Sequence, residues 1–176
     1  MATPSSLRNK VFLWVGGGTI GVASTILVGQ LKTQEGFSPT VYKDPVGIQT
    51  YCYGETHNPD PSRTYSKEYC EYLLSHKASD YIRKVRALVP HQIYLSPQEL
   101  AAWGSFSYNV GLPTFQKSTA LKLLKSGRRH AACRQLPRWV YATESSSGKR
   151  IRLRGLENRR EVEKELCLLG ASQGDA

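Results

Sequence analysis

At 176 residues the chain is long enough for one compact hydrophobic core but not comfortably for two. Its charge is basic and uneven: 24 Lys and Arg stand against 14 Asp and Glu, and between Lys122 and Arg160 there are twelve cations and only two acids, Glu144 and Glu157. Such a face suits an anionic surface or a nucleic acid. No helix-turn-helix, zinc or RNA-binding signature accompanies it, so no nucleic-acid partner is expected. No Cys-x-x-Cys occurs and His57, His76, His91 and His130 do not cluster, so no metal site is expected either.

The amino terminus carries Arg8 and Lys10, followed by 21 consecutive uncharged residues, 11–31. As a helix rising about 1.5 Å per residue, this segment would span about 30 Å, the thickness of a bilayer core. Arg8 and Lys10 favour a cytoplasmic amino terminus. Only 11 of the 21 residues are strongly apolar (Val, Phe, Leu, Trp, Ile), and Gly, Ser, Thr, Ala and Gln dilute the rest. Insertion is therefore marginal. Three readings stay open: a permanent transmembrane helix packed through its small residues, a signal peptide with Val22-Ala23-Ser24 as a weak cleavage site, and a segment that later leaves the membrane.

Next comes Glu35-Gly36-Phe37-Ser38-Pro39-Thr40-Val41-Tyr42-Lys43-Asp44, then Pro45-Val46-Gly47-Ile48-Gln49-Thr50-Tyr51-Cys52-Tyr53-Gly54. Gly36 can end a helix at positive φ. Residues 40–42 and 48–53 are rich in β-branched and aromatic side chains and read as short strands. Residues 43–47 read as the turn between them. Asp44 then sits at a hairpin rim, Thr50 on the returning strand, and Glu35 at the end of a helix. Two carboxyls and a hydroxyl can cleave a glycosidic bond without a cofactor, one carboxyl protonating the leaving oxygen and the others handling water.

Glu, eight residues, Asp, five residues and Thr is the spacing of the phage-type lysozymes, glycoside hydrolase family 24, which the chain resembles closely. The resemblance assigns the acid to Glu35 and the water to Asp44 and Thr50, and implies inversion at the anomeric carbon. Glu35 would need a partly apolar site or a nearby negative charge to stay protonated. After Tyr53-Gly54 the family often has His; this chain has Glu55, which would raise the acid's pKa if it approached Glu35 and would be neutral if it pointed away. The likeness runs from about Ser6 to Leu169 and extends to signal-anchor-release endolysins, which favours the third reading of residues 11–31. While embedded, that segment would pin Glu35 at the lipid surface; once released, residues 11–35 could refold as the first helix. Some relatives switch through a cysteine inside the membrane segment, and residues 11–31 contain none.

Four cysteines, Cys52, Cys70, Cys133 and Cys167, suit an exported, disulfide-bearing protein. Three connectivities are possible. Cys52–Cys70 and Cys133–Cys167 are favoured because each joins an element to its neighbour across a loop of useful length. After a polar loop over residues 56–64, Leu73, Leu74, Ala78, Tyr81, Ile82, Val85 and Leu88 recur at helical spacing, and a long linking helix starts near Ser66. Ser96-Pro97-Gln98-Glu99 is a capping box opening another helix, which runs to Gly111. Phe106-Ser107-Tyr108-Asn109-Val110-Gly111 and Ser118-Thr119 again resemble the family, which makes Tyr108, Asn109 and Ser118 candidate glycan contacts; aromatic core and ordinary caps is the equal alternative. Residues 136–141 also resemble the family, which implies mostly core packing there; residues 143–153 read as a flexible loop, and residues 155–168 as the closing helix.

The expected fold is α+β and mostly helical, a two-lobed lysozyme-like domain with a small antiparallel hairpin and a long linking helix. The expected divisions are a cytoplasmic tail (1–10), a signal-anchor-release segment (11–31), a catalytic domain (32–170) and a tail (171–176). The resemblance implies a monomeric, cofactor-free muramidase that meets peptidoglycan, the export machinery and, transiently, the host inner membrane before reaching the periplasm. A lytic transglycosylase and a wall-binding protein without turnover are the alternatives.

Overall fold

Gly36, at φ +71°, turns the chain out of its first helix, α1 (Thr19–Glu35), and leaves Glu35 as that helix's last residue. The computed structural model describes residues 18–44, 47–143 and 148–173. The first seven residues of the expected membrane segment, 11–17, lie outside these, and the remainder lies in or next to α1. Ala23, Leu27 and Leu31 are buried along one stripe, with each leucine contributing about 1.5–3 kcal/mol by leaving water. Ser24 and Thr25 return their hydroxyls to the carbonyls of Ile20 and Gly21, so neither needs water as a partner. Among the described residues, no helix is long and apolar enough to cross a membrane.

Two compact units make up the chain, one up to Asp80 and one from Tyr81 onward. In the first, β1 (Ser38–Lys43) and β2 (Gln49–Cys52) form an antiparallel hairpin that pairs Tyr42 with Thr50 and Lys43 with Gln49, with an irregularity between Ser38 and Tyr42. Helix α2 (Lys67–Leu88) follows, started by the Ser66 hydroxyl accepting from the Tyr69 amide at 3.2 Å. The Cys52–Cys70 disulfide ties β2 to α2. Ser79 to Ser24 (3.1 Å) and Lys32 to Glu71 (2.6 Å) join α1 to the same helix.

The second unit is helical: α3 (Pro97–Val110), α4 (Leu112–Lys117), α5 (Thr119–Lys125), α6 (Arg129–Cys133), a single 3-10 turn (Leu136–Arg138) and α7 (Arg154–Gln173). The capping box at Ser96 and Glu99 forms as expected, each side chain bonded to the other's amide. Glu99 is fully buried and also meets Arg129 through two bonds, 2.9 and 2.5 Å. A buried carboxylate is tolerable here because a guanidinium fork and an amide satisfy it. Helix α7 crosses this box by its backbone: a Cβ on Gly170 would stand 2.2 Å from Ser96 Oγ and 2.8 Å from the Glu99 nitrogen. Cys133–Cys167 links α6 to α7.

Two expectations are corrected. The stretch 143–153 is not simply a loop: β3 (Tyr141–Thr143) pairs antiparallel with β4 (Arg150–Arg152), placing Tyr141 opposite Arg152 and Ala142 opposite Ile151. The strands are only three residues long and carry two arginines, so β propensity gave no warning; the ladder and the Arg150 guanidinium 4.9 Å above the Tyr141 ring hold them. Residues 136–141 are also only partly core. Leu136 and Val140 are buried, but Tyr141 is 47% exposed and Trp139 half-buried.

Candidate active site

The first unit holds Glu35, Asp44 and Thr50, and the hairpin brings the last two together through the backbone of one residue, Ile48. Its N–H donates to Asp44 Oδ1 at 2.8 Å. Its carbonyl accepts from the Asp44 amide at 3.0 Å and from the Thr50 hydroxyl at 3.1 Å. Gly47, at φ +86°, lets the chain turn back tightly enough to donate to the Asp44 carbonyl at 2.9 Å. The Asp44 carboxylate is thus oriented at the hairpin rim. Thr50 is buried, and with its proton on Ile48 O the hydroxyl keeps lone pairs to accept from another donor. Glu35 is half-buried at the end of α1. Pro45 and Val46, in the expected turn, lie outside the described residues.

Glu55 is held by its own neighbours. Its Oε1 accepts from the amides of Thr56 (2.8 Å) and His57 (3.0 Å), and Oε2 meets Lys77 Nζ at 3.3 Å. Burial pushes this carboxyl up, but the His57 amide, the Lys77 charge and the Thr56 amide outweigh it and hold the pKa below the usual value. Tyr51, one residue after Thr50, is pushed the other way, first by burial and then by Glu55. An open concavity in this unit is lined by Tyr51, Glu55, Arg63 and Tyr69, but none of Glu35, Asp44 and Thr50 lines it.

The three candidate glycan contacts lie in the second unit. Tyr108 is half-buried, its ring 5.2 Å from that of Tyr81. Asn109 is exposed at the last turn of α3, and its Oδ1 accepts from Arg160 Nη2 at 3.1 Å. Ser118 caps α5 by accepting from the Leu121 amide at 3.1 Å, and it also lines a surface concavity with Lys117, Thr119 and Trp139. A second concavity shares Thr119 and Trp139 and adds Gln135, Arg138 and Arg150. Sequence reasoning missed Trp139 as a lining residue because a Trp within an apolar run reads as core.

Beneath Asn109 lies a buried polar network. Arg160 and Glu163 are fully buried, and Glu163 Oε1 accepts from Ser105 Oγ (2.7 Å), Arg160 Nη2 (2.9 Å) and Arg159 Nε (3.3 Å). Burial pushes the Glu163 carboxyl up, opposed by the two guanidinium groups. Among the described residues, no cluster of His, Cys, Asp or Glu could hold a metal ion.

A helix ending on a carboxylate, followed by a hairpin carrying a second carboxylate and a hydroxyl, belongs to a class with known folds. The muramidase domain of SpmX from Asticaccaulis excentricus matches with a TM-score of 0.72 and 27% identity, over 81% of this chain and 94% of that one. The active form of the phage P1 endolysin Lyz matches with a TM-score of 0.69 and 23% identity over 92% and 91%, a likeness of fold. The fold is that of the lysozymes. In sequence, the phage lysozyme family model matches residues 32–163. A SAR-endolysin of bacteriophage PS119 is 38% identical over 174 residues, 97% of this chain and 99% of its own. One of Enterobacteria phage PA-2 is 36% identical over 170 residues, 95% and 98% respectively. The chain belongs to the phage lysozyme family, and it is a glycosidase of the lysozyme type.

Proposed function

We propose that this lysozyme is an endolysin that hydrolyses the β-1,4 bonds between N-acetylmuramic acid and N-acetylglucosamine in peptidoglycan during host lysis. Glu35 donates its proton to the glycosidic oxygen as the C–O bond breaks. Water on the opposite face, oriented by Asp44 and by the Thr50 hydroxyl, adds to the anomeric carbon and passes its proton to Asp44. The product is inverted and no glycosyl-enzyme forms. The observation that supports this division of labour is the Ile48 backbone, whose N–H holds the carboxylate and whose carbonyl holds the hydroxyl before substrate arrives. Tyr108, Asn109 and Ser118 are read as glycan contacts, beside the Trp139 ring as an apolar platform.

The full-length SAR-endolysin relatives, together with the diluted apolar stretch 11–31, support export to the periplasm through a tethered form. On this reading residues 1–10 remain cytoplasmic, the tethered enzyme is latent, and α1 forms on release. On this reading catalysis needs the order of the first unit, where Glu35 ends a helix that packs through Leu27 and Leu31.

The deciding experiment is mass spectrometry of fragments released from purified peptidoglycan. Reducing muramic ends are expected, with loss of about 10²–10⁴-fold in rate for Glu35→Gln. Anhydro-muramic ends would reassign the chain to the lytic transglycosylases. An absence of fragments, or a Glu35→Gln variant that still lyses cells, would leave only wall binding.

A further inference from the structure

The polar network under α3 ends on an exposed side chain, which a purely structural ion pair has no need to do. We propose that Arg160 is a positioning residue for substrate binding, fixing the Asn109 amide so that its NH₂ faces outward as a hydrogen-bond donor to the N-acetyl carbonyl of the glycan. The inference rests on the reading of Asn109 as a glycan contact.

A guanidinium only donates, so the Asn109 atom 3.1 Å from Arg160 Nη2 is the carbonyl oxygen, whichever way an isolated amide would be drawn. The NH₂ of the same planar group therefore points away from Arg160. A solvent-exposed Asn without this contact can turn its amide over and offer either an acceptor or a donor. Arg160 removes that freedom because it cannot move itself. It is fully buried, lies 5.0 Å over the Phe106 ring, and shares Nη2 with Glu163 Oε1 at 2.9 Å. Glu163 is in turn held by the Ser105 hydroxyl at 2.7 Å. Ser105, Phe106 and Asn109 all belong to α3, so the network ties the amide to its own helix through α7. The acetamido groups of peptidoglycan present a carbonyl acceptor, which a fixed donor meets at no cost in reorientation.

The test is a double-mutant cycle on soluble, uncrosslinked glycan strands, with kcat and KM normalised to the folded fraction. Asn109→Ala is expected to raise KM about tenfold with kcat within about twofold, the size of one lost hydrogen bond. Arg160→Lys keeps the buried charge but loses the fork. It is expected to raise KM as well, and to add nothing further in the Asn109→Ala background. A lowered Tm for Arg160→Lys with unchanged KM, or KM effects that multiply in the double variant, would overturn the inference while sparing Asn109. An unchanged KM in Asn109→Ala would instead sink the glycan contact on which it rests. Should Arg160→Lys fail to fold, Asn109→Asp decides. It keeps an oxygen for Arg160 and loses the outward donor, so its KM should rise at least as far as that of Asn109→Ala with no fall in Tm. Binding as tight as the wild type would overturn the fixed donor.

Discussion

Thr50 offers the sharpest test of the hairpin chemistry because its hydroxyl can be removed almost without changing shape. Thr50→Val keeps the buried volume and loses only the bond to the Ile48 carbonyl, which contributes about 1 kcal/mol to stability. If the hydroxyl anchors water, the rate should fall about 100-fold, a typical share for a positioned group, while Thr50→Ser stays near wild type. Retention of most activity in Thr50→Val, assayed on peptidoglycan with Tm measured alongside, would remove Thr50 from the mechanism. Glu55 calls for a different experiment, since its carboxylate is satisfied by Thr56, His57 and Lys77. Glu55→Gln is expected to leave the pH–rate profile in place, and a shifted alkaline limb, where the general acid loses its proton, would show that Glu55 acts on Glu35 after all. The folded pKa of Glu55 is lowered, so its stabilisation is fully present above its unfolded value and lost as pH falls through the folded one. The variant should therefore be less stable than the wild type at neutral pH, by about 1 kcal/mol for a partly exposed group. The gap, read from Tm against pH, should close in acid.

Secondary-structure elements differ in how far their sequences announce them. The capping box at Ser96 and Glu99, the helical spacing of α2 and the β-branched and aromatic residues over 48–53 are local codes, and each produced the element expected from it. Asp44 and Thr50 were legible for the same reason: hairpin geometry follows from a few neighbouring residues. The β3–β4 hairpin was not, because its short arginine-bearing strands gain their order from each other and not from propensity. Nor was the Asn109–Arg160 bond, which joins residues 51 positions apart. The i,i+3 spacing of Arg160 and Glu163 could have signalled the ion pair, but no spacing signals its third member. Helix α7 illustrates a further long-range requirement, that Gly170 have no side chain. Gly170→Ala must displace Ser96 Oγ and the Glu99 amide, and should cost about 3 kcal/mol, the upper range for overpacking. Loss of the Cys133–Cys167 bond, through Cys133→Ser with Cys167→Ser, acts instead on the unfolded chain. With a sequence separation of 34 between the partners, about 3–4 kcal/mol is expected. Chemical denaturation separates the two, because both midpoints fall, but reductant should lower that of Gly170→Ala further than that of the disulfide variant, which has only Cys52–Cys70 left to lose.

For the molecule as a whole, α1 has to serve two environments if the tethered form exists. Its inward stripe, Ala23, Leu27 and Leu31, is fully buried, yet Ile20 and Val22 stand 38% and 50% exposed on the same helix. Scattered surface aliphatics are common and need no special reason. These two, however, flank the midpoint of residues 11–31, where a charge costs a membrane helix about 2.5–3.5 kcal/mol. The two faces can therefore be separated by substitution. Ile20→Lys with Val22→Lys should leave the purified enzyme's specific activity within twofold of wild type and its stability within about 0.5 kcal/mol, as expected for exposed sites. The same pair should abolish recovery of the protein in the membrane fraction of expressing cells. Leu27→Ala should do the reverse, weakening the folded enzyme by about 2–5 kcal/mol while still allowing membrane association. If the double-lysine protein fractionates with membranes as the wild type does, residues 11–31 are not the anchor. If it accumulates in the cytoplasm, the segment is what carries the enzyme to the membrane, and the surplus of apolar surface on α1 belongs to the tethered state and not to the fold.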